Sequence, residues 1–224
     1  MNKLYGIKAL AFDAYGTVFD VHSVVALANK MYPGKGEELS RLWRSKQMEY
    51  MFLRTVMGRY IPHGENNEAA LIYAMKFLKL NGGIKERALL INAYETLELF
   101  DDAKRTIPML SNFKKSILSV GTPALIRRLV ENAGIESNFE ELLSVDEVKV
   151  YKPHPRTYQL IIDKLQLLRQ EVGFVTSNYY DVIGAKAFGF QAIWINRNNA
   201  IPDELGLCPN IELKSMDLMP NIFG

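Results

Sequence analysis

With 224 residues, 48% of them apolar and 23% charged, the chain is long enough to bury a sizeable core and has the composition of an ordinary globular protein. Its net charge of +2 comes from basic residues scattered among acidic ones, which argues against a nucleic-acid partner. A single cysteine, Cys208, excludes a disulfide within the chain and a thiolate metal cage; no run of about 18 apolar residues marks a membrane span, and the N-terminal stretch lacks the apolar core of a signal peptide, so a cytoplasmic location is expected.

The first element is a short apolar run, Ile7 with Ala9, Leu10, Ala11 and Phe12, which reads as a buried parallel strand closed by Asp13. Gly16 supplies a tight turn and Thr17 can return its hydroxyl to the strand end. Ligands of open α/β sheets sit outside the carboxyl ends of the strands, so Asp13 is placed to act as nucleophile or base. Taken alone, it reads equally well as a cap for the following turn.

Four helical segments follow. Residues 21–32 open with Ser23 as N-cap and stop at Pro33-Gly34; residues 37–58 carry Leu39, Leu42, Trp43, Met51, Phe52 and Val56 at helical spacing. A third helix is entered at Asn66-Asn67 and closed before Gly82, and a fourth covers residues 85–100. Four helices without an intervening strand do not fit an alternating βα pattern, so residues 18–96 are assigned to an inserted helical lobe.

The α/β pattern resumes with KSILSVG, a strand ending at Ser119, after which Thr122 and Pro123 give the N-cap and first residue of a helix closed by Gly134. The Ser119 hydroxyl and the amides behind it are aimed at the crevice of Asp13, either for an anion or to satisfy the loop itself. A short strand in ELLSVDEV leads to Lys152, which precedes a proline and a helix. GFVTSN is another buried strand, with Thr176, Ser177 and Asn178 at its end and Asp181 leading a helix; QAIWINR and the weaker NIELKS complete the pattern. Polar residues at the carboxyl ends of the strands predict an α/β protein with a Rossmann-like, doubly wound parallel sheet, core residues 1–17 and 97–224, and a helical-bundle cap at residues 18–96.

AFDAYGTVFD, LSVG, VYKP and TSNYYD, in this order and with a helical insert after the first, resemble the haloacid dehalogenase superfamily. FDAYGTVFDVHSV, LWRSKQMEY, SVDEVKVYKP and the run before FGFQAIWINR are similar, more narrowly, to the L-2-haloacid dehalogenases, over about residues 7–223. The resemblance implies a hydrolase that uses no metal or cofactor. Asp13 attacks C2 of a small L-2-haloacid, halide leaves with inversion, and water hydrolyses the aspartyl ester to a 2-hydroxy acid. Arg44 is implied to receive the halide, Thr17 and Ser119 to orient nucleophile or substrate, and Lys152 to hold Asp13 charged. Asp181 is implied to act on the hydrolytic water with Asn178 and Thr176, beside Tyr158, while Tyr15 lines the pocket. A homodimer is implied by the family alone.

Superfamily phosphatases carry aspartates where this chain has Tyr15 and Ser177, one as general acid and one as Mg²⁺ ligand. Asp13 with Asp181 alone would make a thin cation site, whereas a departing halide needs neither metal nor proton. Two positions depart from the dehalogenases: Val120 replaces a donor asparagine, and His63 replaces an aromatic residue of the pocket wall. The first keeps open a member that binds a carboxylate without turnover; a phosphatase of small esters is the other alternative.

Overall fold

The computed structural model describes residues 3–224. In chain order the elements are β1 (Ala9–Asp13), β2 (Phe19–Asp20), α1 (Val25–Met31), α2 (Gly36–Val56), α3 (His63–Phe77), α4 (Ile84–Ala93), β3 (Glu98–Leu99), α5 (Asp101–Met109), β4 (Lys114–Ser119), α6 (Pro123–Asn132), β5 (Glu141–Ser144), α7 (Pro155–Leu165), β6 (Val172–Thr176), α8 (Tyr179–Phe188), β7 (Gln191–Ile195) and β8 (Ile211–Leu213). Six strands form one parallel sheet in the order β5-β4-β1-β6-β7-β8. Every residue of β1 and β6 is buried, which explains their near-continuous apolar sequences.

The chain winds outward from β1 in both directions, so the topological switch lies at β1, between β4 and β6. Register brings the strand ends level. Asp13 stands opposite Leu118 of β4, and Phe12 opposite Val175 of β6, so Asp13, Ser119 and Thr176 finish at one rim.

The helices α1 to α4 fall between β2 and β3, which pair antiparallel with Phe19 opposite Leu99. The expected fourth helix is therefore shorter than residues 85–100, because its last part is a strand at the neck of the lobe. Two caps also differ from the expected ones. Ser23 donates its hydroxyl to the Asp20 carbonyl at 2.9 Å, and α1 begins only at Val25. Helix α3 starts earlier, at His63 behind Pro62, and buries Asn66 and Asn67 against α2. There the Asn66 amide donates to the Gln47 carbonyl at 3.1 Å and the Trp43 indole N–H to the Asn67 carbonyl at 2.9 Å. These asparagines look like caps in sequence because their role as a buried seam depends on a helix distant in the chain. Helix α3 also ends at Phe77, before Gly82, with Lys79 taking the left-handed turn at φ 54°. The predicted Thr122 cap, Pro123 start and Gly134 stop of α6 all occur, with Gly134 at φ 67°.

Gly184 in α8 packs against the loop that carries Lys152. A Cβ at this position would stand 2.5 Å from Pro153 Cβ and collide with the Tyr158 hydroxyl. Helix propensity alone favours Gly184→Ala by up to about 1 kcal/mol. Overpacking costs about 1–3 kcal/mol, so the collision wins. Gly184→Ala is expected to lower stability by about 1–2 kcal/mol, read from the midpoint of urea unfolding.

Candidate active site

The strand ends bring three buried charges into contact. The Lys152 ammonium donates to Asp13 Oδ1 at 2.6 Å, to Asp181 Oδ2 at 2.7 Å and to the Leu118 carbonyl at 3.1 Å, so each of its three protons has an acceptor. The side chains of Lys152 and Asp181 are fully buried and that of Asp13 is 3% exposed. The other oxygen of Asp13, Oδ2, accepts from Thr17 Oγ1 at 2.8 Å and from Asn178 Nδ2 at 2.7 Å. Asp13 is thus held by four contributors: its own strand, the turn after it, the loop before α7 and the start of α8.

Burial alone would push the Lys152 ammonium down, but the charges of Asp13 and Asp181 outweigh it and hold its pKa above the usual lysine value. Burial pushes the Asp181 carboxyl up against the pull of Lys152, with Asp13 adding to the rise. Tyr158 donates to Asp181 Oδ1 at 2.5 Å, and its ring is wedged edge-on against Phe174, centroids 5.4 Å apart. Thr176 Oγ1 accepts from the Asn178 amide at 3.0 Å, so its hydroxyl shapes the turn that presents Asn178. Ser119 Oγ accepts from the Gly121 amide at 3.1 Å, so this loop amide is used within the turn while the Ser119 hydroxyl proton is left for a ligand.

From α2, Arg44 reaches across to the core. Its guanidinium donates to the Tyr15 carbonyl at 3.4 Å, Asn178 Oδ1 at 3.5 Å and Gln47 Oε1 at 3.2 Å, contacts long enough to be exchanged for an anion. Tyr15 and His63 lie against each other behind it, their rings tilted by 38° with centroids 5.3 Å apart, both buried. Val120 is buried as well, beside Gly121. On the opposite flank the lobe is clasped to the core. The Tyr151 amide donates to Thr55 Oγ1 at 3.1 Å, its hydroxyl to the Ile61 carbonyl at 2.7 Å, and the Tyr60 hydroxyl to Asp146 at 2.9 Å. A groove of ≈ 440 Å³ lined by Phe52, Val56, Pro153, Tyr180 and Leu205 runs along this seam and touches Lys152. A larger cleft of ≈ 740 Å³, along Thr96–Leu99 and Asp101, contains none of the clustered side chains.

Residues 7–189 match the family described as haloacid dehalogenase-like hydrolase. The chain belongs to this hydrolase family. Haloacetate dehalogenase H-2 of Moraxella sp. (strain B) is 42% identical, over 97% of this chain and 98% of the relative. The (S)-2-haloacid dehalogenase of Pseudomonas sp. (strain YL) is also 42% identical, over 97% and 94%. Among solved structures, L-2-haloacid dehalogenase from Xanthobacter autotrophicus with chloropropionic acid covalently bound superposes with a TM-score of 0.91 at 35% identity, covering 96% of this chain and 97% of that one.

Within this haloacid dehalogenase-like hydrolase the donor set does not suit a hard divalent ion, because the Lys152 ammonium joins the two carboxylates and Tyr15 and Ser177 stand where further aspartates would be needed. Two residues of the site escape sequence reasoning. Tyr180 packs edge-on against Phe52 of α2, centroids 5.3 Å apart, and closes the seam; its place between Asn178 and Asp181 was the available signal. Arg197, after β7, donates to Asp102 at 2.8 and 2.9 Å, to Ser177 Oγ at 2.9 Å and to the Thr17 carbonyl at 2.9 Å, tying together the two turns that hold Asp13. The Ser177 amide in turn donates to Thr17 Oγ1 at 2.8 Å.

Burial works against the charged form of Asp102, but the hydrogen bonds of Arg197 and the Met216 amide outweigh it and hold the carboxyl below its usual value. A folded pKa below the unfolded one stabilises above the unfolded value and loses that contribution as pH falls through the folded one. Arg197→Met is therefore expected to cost roughly 3 kcal/mol at pH 7, with the gap from the native protein narrowing below about pH 4, as measured by urea unfolding across pH.

Proposed function

We propose that the protein is a hydrolase of carbon–halide bonds that converts small L-2-haloalkanoic acids to 2-hydroxy acids through an ester on Asp13, without a metal ion. The observation that carries the reading is the Asp13 carboxylate, held by Lys152, Thr17 and Asn178 and faced by the Arg44 guanidinium from the helical lobe. In this reading residues 1–17 and 97–224 are the catalytic core and residues 18–96 its cap. The exposed, unpaired Cys208 agrees with a reducing, cytoplasmic setting.

Oδ1 of Asp13 has one partner where Oδ2 has two, which leaves Oδ1 the freer lone pair for attack on C2. The new C–O bond forms as the carbon–halogen bond breaks, and the halide departs with its electron pair toward Arg44. Halide is a weak base, so no acid is required. Water then adds to the carbonyl of the Asp13 ester as Asp181 takes a proton, and collapse releases the 2-hydroxy acid with inverted configuration and restores the carboxylate. The sum is haloacid plus water to hydroxy acid, halide and one proton. Ser119 and Arg44 orient the substrate carboxylate, Tyr15, His63 and Val120 wall the pocket, Thr176 sets the Asn178 turn, and Tyr158 steadies Asp181.

L-2-chloropropionate or bromoacetate is expected to release halide. Mass spectrometry under rapid quench is expected to find the acid linked to the peptide containing Asp13, and Asp13→Asn to lower release by at least about 10³-fold. Absence of halide from a panel of short 2-haloacids with the native protein rejects the reading. Phosphate release that depends on Mg²⁺ would replace it with a phosphatase.

Asp181 must be charged to take the water proton, and burial holds its carboxyl above the ordinary aspartate range. Activity is therefore expected to fall on acidification at a pH higher than an exposed aspartate would give. Asp181→Asn is expected to remove this limb and to leave the ester accumulated, as read in a stopped-flow pH profile and by intact-mass measurement.

A further inference from the structure

The buried wall behind Arg44 is polar without being satisfied. Among the described residues seven buried side-chain nitrogen or oxygen atoms have no hydrogen-bond partner, and three of them are here: Nδ1 and Nε2 of His63 and the hydroxyl of Tyr15. Both side chains are 1% exposed. An unpaired buried polar atom loses its hydration without compensation, and native interiors keep few of them. A group of three at one site indicates a ligand that supplies their partners.

The wall belongs to the reaction centre by position. Tyr15 lies two residues beyond Asp13, its carbonyl accepts from Arg44 at 3.4 Å and from Asn178 at 3.0 Å, and its ring carries His63 at 5.3 Å. Its hydroxyl stands 3.0 Å from where a Cβ on Gly121 would be, next to Val120, which offers no donor or acceptor in its side chain. Burial and the neighbouring Arg44 push the His63 imidazole down to about 3, so at neutral pH the ring has one N–H donor and one lone-pair nitrogen. Burial keeps the Tyr15 hydroxyl protonated.

An alkyl side chain on the substrate would leave all three atoms unpaired. A second carboxylate would accept from two donors but leave the imidazole lone pair empty, and it would bring a charge into a buried wall whose cation, Arg44, already faces the reacting centre. A hydroxyl both donates and accepts, and suits a neutral imidazole beside a phenol.

We propose that His63 and Tyr15 form a subsite for an uncharged hydrogen-bonding group on C3 of the 2-haloacid, a hydroxyl above all. This rests on the dehalogenase reading and narrows its substrate class.

Two acids of nearly equal shape test it: 2-chloro-3-hydroxypropionate and 2-chlorobutyrate, of matching arrangement at C2, with chloride release measured above the uncatalysed rate. The native protein is expected to favour the hydroxy acid in kcat/KM by about 10-fold or more, since a polar site left unpaired rejects the apolar isostere. His63→Phe is expected to reverse that ratio. Equal or opposite preference in the native protein, or an unchanged ratio in His63→Phe, overturns the subsite.

A second measurement depends on neither turnover nor the variant's folding. Calorimetric titration of the native protein with the corresponding products, glycerate and 2-hydroxybutyrate, is expected to show about 10-fold tighter binding of glycerate. Equal affinities, or tighter 2-hydroxybutyrate, overturn the subsite. Failure of the dehalogenase reading shows separately, as absence of chloride from all these acids and from L-2-chloropropionate.

Discussion

The structure depends on one ammonium group placed between two carboxylates where water does not reach. Lys152 lies between Asp13 and Asp181 at 2.6 and 2.7 Å, with all three side chains nearly or fully inaccessible. Leaving one charge of such a set unmatched costs about 3–5 kcal/mol, a large part of a domain's whole stability. Each member comes from a different part of the chain, the end of β1, the loop before α7 and the first turn of α8, so the charges match only when the sheet order and register are correct. The site therefore also acts as a check on the fold. Two carboxylates and one ammonium leave one net negative charge, and the Arg44 guanidinium, bonded to the Tyr15 carbonyl and Asn178, sets a positive charge beside it.

Support around this centre is layered. Thr17 and Asn178 hold one oxygen of Asp13, Thr176 holds the Asn178 turn, and Arg197 binds the Thr17 and Ser177 turns to Asp102. The aromatic packing of Tyr158 on Phe174 and the close approach allowed by Gly184 place the phenol against Asp181. A carboxylate fixed from several sides has little conformational freedom left to lose. The helical lobe is fixed in a similar way, by the Trp43, Gln47, Asn66 and Asn67 seam between α2 and α3, so Arg44 projects from a rigid helix.

The parts of this legible from sequence are those whose chemistry and spacing are local. Asp13 at the end of an apolar strand, Gly16 and Thr17 behind it, the Thr122-Pro123 start of α6 and the insert of four helices all follow from patterns a few residues long. Lys152 and Arg44 look like ordinary surface cations until neighbouring motifs place them, because the burial of Lys152 and the reach of Arg44 to the core both depend on partners distant in the chain. Arg197 escapes such patterns because its partners are Thr17, Asp102 and Ser177, none of them near it in the chain. The same applies to Asn66 and Asn67, whose amides resemble helix caps, and to β2 and β3, too short to show a period. The stretch around His63, YIPHGENN, gives no local sign of burial, whereas Pro62 starts a helix there and the ring is buried.

The clasp formed by Tyr151 gives the lobe a direct mechanical link to the chemistry. Its amide and hydroxyl grip the far end of α2 and the loop after it, and the next residue is Lys152. Lifting that flank would tug on the peptide that seats the ammonium, loosening the charge balance around Asp13 before any bulky molecule had passed. The stitching that joins the lobe to the core is thus continuous in the chain with the residue that balances the charge of Asp13.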